Sequence, residues 1–273
     1  MIFEQAFLDS LIQAVEVSRK YRDLQIPIAT LQDILAYESQ HSTSRKELEA
    51  NFRKSLHNIV APYLEDINYP AETTRIPEFH ALSPSSEMLR SWCTDRMRHH
   101  ASSRERLPYL DIFYQKIFTK IGSPESILDL ACAFDPLGLP WMNLSPTTDF
   151  IAYDIHQPRL AFLATFFRHF YPCAQAIHQD ILTNIPGQQA DCAFFFKEAH
   201  RLEKRRPGSN RDLFEGLKVK WLVVSLPSRD LAGHHSLETY HTNLIQKAIE
   251  GQPWQLTTDI VGDELLFFIQ KHD

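Results

Sequence analysis

The chain has 273 residues, is 44% hydrophobic and 23% charged, and carries a formal net charge of −6 at pH 7. That composition excludes a disordered chain and a uniformly basic nucleic-acid binder, and the length leaves room for two domains, one of them small. Glu4, Asp9 and Glu16 break the apolar pattern expected of a secretory leader, no apolar run is long enough to span a bilayer, and Cys93, Cys132, Cys173 and Cys192 show neither CxxC nor metal-ligand spacing, so a cytoplasmic protein with reduced thiols and no metal is expected.

Helical periodicity comes first along the chain. Phe3, Phe7, Leu8, Leu11, Ile12, Val15 and Val17 mark one helix. A second follows Pro27 from Ile28, with Thr30 as a candidate cap, and a third runs from about Ser44 to Ile59. Residues 62–86 hold Pro62, Pro70, Pro77 and Pro84 and read as loops. Helix is predicted again over Ser86–His99 and over Ser103–Ile121. Arg90, Arg96, Arg98, Arg104 and Arg106 form one basic run. Arg201, Lys204, Arg205, Arg206, Arg211, Lys218 and Lys220 form another. Each reads as a solvated helix face or as part of a surface for a polyanion.

After Gly122 short apolar runs alternate with helix-length segments: Ile127–Ala131, Phe150–Tyr153, Ala174–His178, Asp191–Phe196 and Trp221–Leu226, with a long helix at Pro158–Phe170. That rhythm predicts a parallel sheet with helices on both faces. Trp254–Ile260 and Glu264–Gln270, joined through Val261-Gly-Asp, read as an antiparallel pair at the sheet edge. The expected architecture is an α/β, Rossmann-like, mostly parallel sheet with an antiparallel last strand, spanning residues 106–273, behind an all-helical domain over 1–105.

Ligands of such sheets bind beyond the carboxyl ends of the strands. In order, those ends carry Asp129 with Ala131-Cys132-Ala133, Asp154, Gln179-Asp180, Phe196-Lys197 and Pro227-Ser228-Arg229. Backbone N–H groups of the first turn suit a charged tail, an acid after the second strand suits ribose hydroxyls, and an acid after the third suits an adenine amino group. Without a GxGxxG loop, this ordered set favours S-adenosylmethionine over a dinucleotide. The same acids also read as residues that solvate loop mouths.

Several short blocks together resemble the aminoglycoside-resistance 16S rRNA (guanine(1405)-N7)-methyltransferases. They are His100-Ala-Ser-Ser-Arg-Glu-Arg-Leu, Leu-Asp-Leu-Ala-Cys at 128–132, Asp-Pro-Leu at 135–137, Tyr153-Asp-Ile-His-Gln, Gln179-Asp-Ile, Phe196-Lys197 and Leu226-Pro-Ser-Arg-Asp-Leu-Ala-Gly, with Ser18-Arg-Lys-Tyr-Arg-Asp-Leu, Leu56-His57 and Tyr63 nearer the start. The resemblance implies a class I methyltransferase domain that uses S-adenosylmethionine and yields S-adenosylhomocysteine. It also implies a helical domain that docks on 16S rRNA within the 30S subunit, with no membrane and no obligate protein partner; a monomer is expected. Carried over by motif, Arg106 pairs with the cofactor carboxylate, and His100, Ala101 and Ser102 line the same end. Ala131 and Ala133 flank its methionine portion, Asp154 and Ile155 hold the ribose, Asp180 and Ile181 the adenine, and Phe196 packs nearby; Tyr63 reaches in from the helical domain. Guanine N7 is itself nucleophilic, so no general base is required, and Lys197 and Arg229 are candidates for holding the target base.

The chain departs from the family pattern at three places. Ala133 stands where the family has glycine, and Asp135 where it has asparagine. Residues 232–236 are less basic than in the family, with His234 and His235 there. Glu198-Ala199-His200 follows Lys197 in place of an apolar-Pro sequence. These departures keep three readings open: a divergent member with weak or altered activity, a methyltransferase acting on another RNA position or a small molecule, and a non-catalytic ribosome-binding relative.

Overall fold

Leu48, Phe52, Leu56 and Val60 recur every fourth residue, which places them on one face of a helix. In the computed structural model, which describes residues 3–61, 67–79, 82–230 and 235–271, all four are buried along α3 (Arg45–Val60). A reciprocal cap starts that helix. Ser44 accepts from the Glu47 amide at 3.2 Å, and the Glu47 carboxylate accepts from the Thr43 amide at 2.7 Å. The buried face packs on α1 (Gln5–Glu16) and α2 (Ile28–His41) through Leu11, Val15, Leu31, Ile34 and Leu35, giving these three helices a core of their own.

The next helices belong elsewhere. α4 (Tyr69–Arg75), α5 (Glu87–Met97), α6 (Ala101–Arg106) and α7 (Leu110–Ile121) bury Tyr69, Trp92, Met97 and Phe113 against sheet-side residues such as Phe134, Phe150 and Phe162. The cores therefore divide between α3 and α4, well before the expected boundary at residue 105. Apolar area decides the matter: the buried faces of α4, α5 and α7 are continuous with one side of the sheet. The stretch expected as loop holds α4, and the single helix expected over Ser103–Ile121 is two, separated by a 3₁₀ turn at Leu107–Tyr109 that contains Pro108.

One seven-stranded sheet lies behind these helices, in the order β3-β2-β1-β4-β5-β7-β6. Its strands are β1 (Ser126–Leu130), β2 (Asp149–Asp154), β3 (Ala174–His178), β4 (Gln189–Phe196), β5 (Lys218–Pro227), β6 (Gln255–Val261) and β7 (Glu264–Gln270). β1 to β5 pair in parallel, and β7 runs antiparallel to both β5 and β6. Side chains alternate faces along each strand, so Ile127 joins the core under α4–α7 while Leu128 and Leu130 join the opposite one. α8 (Leu139–Met142) and α9 (Gln157–Phe170) lie with the first face, and α10 (Ala199–Arg205), α11 (Ser209–Gly216) and α12 (Glu238–Ile249) lie with the second. The β6–β7 turn needs a glycine: Gly262 has φ +57°, and a Cβ there would sit 2.2 Å from a ring carbon of Tyr109. Among the described residues no helix is long and apolar enough to cross a membrane.

Candidate functional site

β1 ends at Leu130, and the chain turns through Ala131, Cys132 and Ala133. Ala131 and Ala133 take φ of 51° and 48°, a left-handed conformation that opposes a Cβ by about 1–2 kcal/mol. The turn persists because it is tied down. The Ala133 amide donates to Asp154 Oδ2 at 2.9 Å, and the His156 amide donates to Oδ1 at 2.9 Å. Arg159, fully buried on α9, lies 3.6 Å from the same carboxylate. Ala133 thus keeps the shape a glycine would adopt, and carries the strain.

A cavity of about 500 Å³ opens over this edge of the sheet. Ala131, Asp154, Ile155, Asp180 and Ile181 line its floor, so five of the residues expected for the cofactor, three from the strand ends and two from the resemblance, meet in one place. α10 forms a wall with Glu198, Leu202 and Arg205, and α2 and α3 roof it with Asp33, Ile34, Tyr37 and Ile59. The roof is latched. Thr30 donates its hydroxyl to Asp180 Oδ2 at 2.8 Å, Arg205 reaches Asp180 at 2.7 Å and Asp33 at 2.8 Å, and Arg206 reaches Asp33 at 3.1 Å. The Leu182 amide donates to Asp180 Oδ1 at 3.0 Å, which leaves that oxygen a lone pair for a further donor.

The other expected residues form a second cluster. Arg106 is completely buried, and its guanidinium donates to Glu264 through Nε at 3.2 Å and Nη2 at 2.6 Å, and to Asp135 through Nη1 at 2.8 Å. It also stacks on Phe113 and Phe196 at 4.2 and 4.7 Å. Burial opposes its charge, but Asp135 and Glu264 hold the guanidinium protonated. Burial pushes the Asp135 carboxyl up against the pull of Arg106; at Glu264, Arg106 and Lys197 outweigh burial and hold the carboxyl down. The charge that Asp135 adds beside the expected carboxylate anchor is therefore neutralised by Arg106. Two of the five guanidinium N–H groups remain for a ligand.

His100, at the start of α6, pairs through Nδ1 with Ser102 Oγ at 2.8 Å. Burial, with the guanidinium of Arg159, pushes its imidazole down to about 2, so it is neutral at physiological pH. Ala101 is exposed on the first turn of that helix. Lys197, with φ +57°, is nearly buried, and its Nζ lies 2.7 Å from Glu105 and 3.4 Å from Glu264. Arg229, after β5, is exposed and 3.9 Å from Asp263. Tyr63 and residues 232–234 lie outside the described residues.

Sequence reasoning missed Arg159, Glu264, Asp33 and Arg205. It also left Asp129 without a role. Asp129 sits in β1 with no hydrogen-bond partner on either carboxylate oxygen among the described residues, and burial, with the charge of Asp135 nearby, pushes its carboxyl well up. An ammonium group would supply the missing donor. A nucleoside-sized cavity lined by Asp154 and Asp180, the acids expected to meet ribose and adenine, beside an orphaned buried acid, fits S-adenosylmethionine. Among the described residues no group of three or more His, Cys, Asp or Glu side chains is arranged to hold a metal.

Comparisons with known proteins agree with that chemistry. A family model described as ribosomal RNA methyltransferase (FmrO) matches residues 17–269. The 16S rRNA (guanine(1405)-N(7))-methyltransferase of Micromonospora rosea is 27% identical over 273 residues, covering 97% of each chain, and that of Frankia casuarinae is 28% identical over 224 residues, covering 80% of this chain and 78% of its own. Among solved structures, the 16S rRNA methylase RmtB aligns with a TM-score of 0.78 at 24% identity, over 97% of this chain and 98% of its own, and so shares the fold. The match takes in the roof helices α2 and α3 as well as the sheet, and on that footing the chain belongs to the FmrO family of ribosomal RNA methyltransferases.

Proposed function

We propose that the protein methylates N7 of guanine in the aminoglycoside-binding decoding region of 16S rRNA, at the guanine(1405) position for which its relatives are named, and thereby confers aminoglycoside resistance. The observation that carries this reading is the family match over residues 17–269, together with relatives of that one name aligned over nearly the whole chain. The substrate is 16S rRNA within the 30S subunit, met by a monomer in the cytoplasm without an obligate protein partner. α1–α3 and exposed members of the basic runs, Arg98, Arg104, Arg201 and Lys204, serve as the docking surface.

S-adenosylmethionine supplies the electrophilic methyl carbon, and S-adenosylhomocysteine remains after transfer. Because guanine N7 offers an in-plane lone pair, no side chain has to remove a proton, and the residues contribute by positioning. Asp154 and Ile155 hold the ribose. Asp180 and Ile181 hold the adenine, with Asp180 sharing its carboxylate between that ligand and the roof. Asp129 accepts from the ammonium, and Arg106, kept charged by its two carboxylates, offers its remaining N–H groups to the carboxylate end. His100, Ala101, Ser102, Ala131 and Ala133 shape that end. The target base has to leave its stack, which costs a few kcal/mol that contacts from Lys197 and Arg229 help to offset.

Reverse-transcription mapping of 30S subunits incubated with protein and S-adenosylmethionine tests the proposal. A stop at guanine 1405 and loss of gentamicin and kanamycin sensitivity in an expressing bacterium are expected. Methylation elsewhere with drug sensitivity intact points to another target. No methylation, together with no cofactor binding, points to a ribosome-binding relative that has lost catalysis.

A further inference from the structure

Glu198 is one of five acids among the described residues that line the cavity; of the others, Asp33 holds Arg205 and Arg206, and Glu38 accepts from the Ser55 hydroxyl. Asp154 and Asp180 each accept from backbone amides and have an arginine beside them. Glu198, at the start of α10, faces the same cavity, and its nearest cation is Arg201, one turn along at 3.9 Å. Burial pushes its carboxyl up to about 7; Arg201 and, more weakly, Arg205 pull it back, while Asp154 and Asp180 add to the rise. An ionised Glu198 is thus under-compensated until a cation enters.

The direction of α10 says which part of a ligand Glu198 meets. Arg205, at the far end of the helix, pairs with Asp180, the adenine end. Seven residues of α-helix set Glu198 roughly 10 Å back along the axis. Lys197, its neighbour, holds Glu105 and Glu264, and Glu264 also holds Arg106, the carboxylate end. Glu198 therefore stands between the two ends, where an adenosyl donor carries its sulfur.

We propose that Glu198 is the anion this cavity presents to the sulfonium of S-adenosylmethionine, making the site bind the charged donor in preference to the neutral thioether left after transfer. The inference rests on the cofactor assignment above. When the S–CH₃ bond breaks and the N7–CH₃ bond forms, the positive charge passes from sulfur to the guanine ring. The electrostatic hold of Glu198 on the cofactor then disappears, and release of the product is favoured.

Calorimetry at pH 8 tests this with three ligands: S-adenosylmethionine, sinefungin (an ammonium in place of the sulfonium) and S-adenosylhomocysteine. Glu198→Gln should weaken the two cations by about five- to tenfold, a modest effect because the carboxylate is partly solvated, and leave S-adenosylhomocysteine within about twofold. Glu198→Asp keeps the charge and should keep the preference within about twofold of the parent. Retained S-adenosylhomocysteine binding shows that each variant folds. Equal loss on all three ligands, or no change on any, overturns the role of Glu198, as does a Glu198→Asp protein that loses the preference as fully as Glu198→Gln. A parent protein that binds none of the three instead overturns the cofactor assignment itself.

Discussion

Thr30 and Asp180 lie 150 residues apart in sequence, and Thr30 Oγ1 donates to the Asp180 carboxylate at 2.8 Å. With Arg205 bridging Asp180 and Asp33, the helical unit and the loop after β3 share one network of charge. Arg205→Ala leaves the buried Asp180 carboxylate without its cation, while Asp33 keeps Arg206, and a loss of about 3 kcal/mol in urea unfolding is expected. Thr30→Val should lose about 1 kcal/mol. Amide exchange in α2 should quicken in both. Unchanged exchange in Arg205→Ala would mean that apolar packing alone holds the roof.

Ala133→Gly should stabilise the protein by about 1 kcal/mol, because glycine occupies the left-handed region without the clash alanine meets there. Cofactor affinity should hold or improve. A lowered midpoint in thermal unfolding would contradict the strain assigned to this turn.

The strands were the most legible part of the chain. Apolar runs between turn residues betray a buried sheet, and all seven predicted runs are strands within three residues of their expected ends, β5 starting three residues early at Lys218. α4 was hidden by its prolines. Pro70 marks a loop in sequence, yet it sits in the first turn of the helix, where its missing N–H has no partner to lose, behind an Asn68 cap that accepts from the Ala71 amide at 3.0 Å. Asp154, Asp180 and their neighbours were legible as a site because they follow strands directly. Glu264 was not, since an acid opening a strand looks like any solvated strand end, whereas β7 lies inside the sheet, and the pairing with Arg106 spans 158 residues. Arg159 did leave a signal: it falls on the apolar face of α9 with Leu160, Phe162, Leu163 and Phe166, where an unpaired guanidinium would be intolerable.

Arg106→Ala leaves Asp135 and Glu264 facing each other in a dry core, and a loss of about 3–5 kcal/mol is expected from denaturant midpoints. Arg106→Lys should recover part of it, since a lysine cannot reproduce the two-pronged contact with Glu264. A loss below about 1 kcal/mol for Arg106→Ala would show that the carboxylates protonate or rehydrate at little expense.

His100 imparts a pH dependence of known sign. Its folded value is depressed to about 2 from the usual 6.5. Above 6.5 both states leave it neutral and it contributes nothing; below 6.5 the unfolded chain takes up a proton that the folded protein refuses. Between pH 6.5 and pH 5 the parent should therefore lose about 1–2 kcal/mol relative to His100→Gln. Ring resonances of His100 that titrate above pH 5 would refute the depression.

Arg229→Ala should reduce methylation of 30S subunits severalfold while S-adenosylmethionine affinity stays unchanged, because Arg229 is exposed and outside the cavity. Asp154→Ala should do the reverse first, weakening the cofactor by at least about tenfold through the lost ribose acceptor and the freed Ala133 amide. Equal cofactor affinity in Asp154→Ala and the parent would remove Asp154 from the site.

The position of Glu264 also bears on how the protein is made. β7 slides between β5 and β6, so the carboxylate that holds Arg106 and Lys197 reaches them after every other strand of the sheet has been synthesised. A nascent chain stopped short of Glu264 keeps two cations with one fewer buried anion, and the site end of its sheet cannot close. Addition of β7, rather than emergence of β1 to β3, is then expected to set the moment at which the Arg106 cluster closes. Stalled nascent chains halted before and after Glu264 should differ sharply in protease resistance at α6.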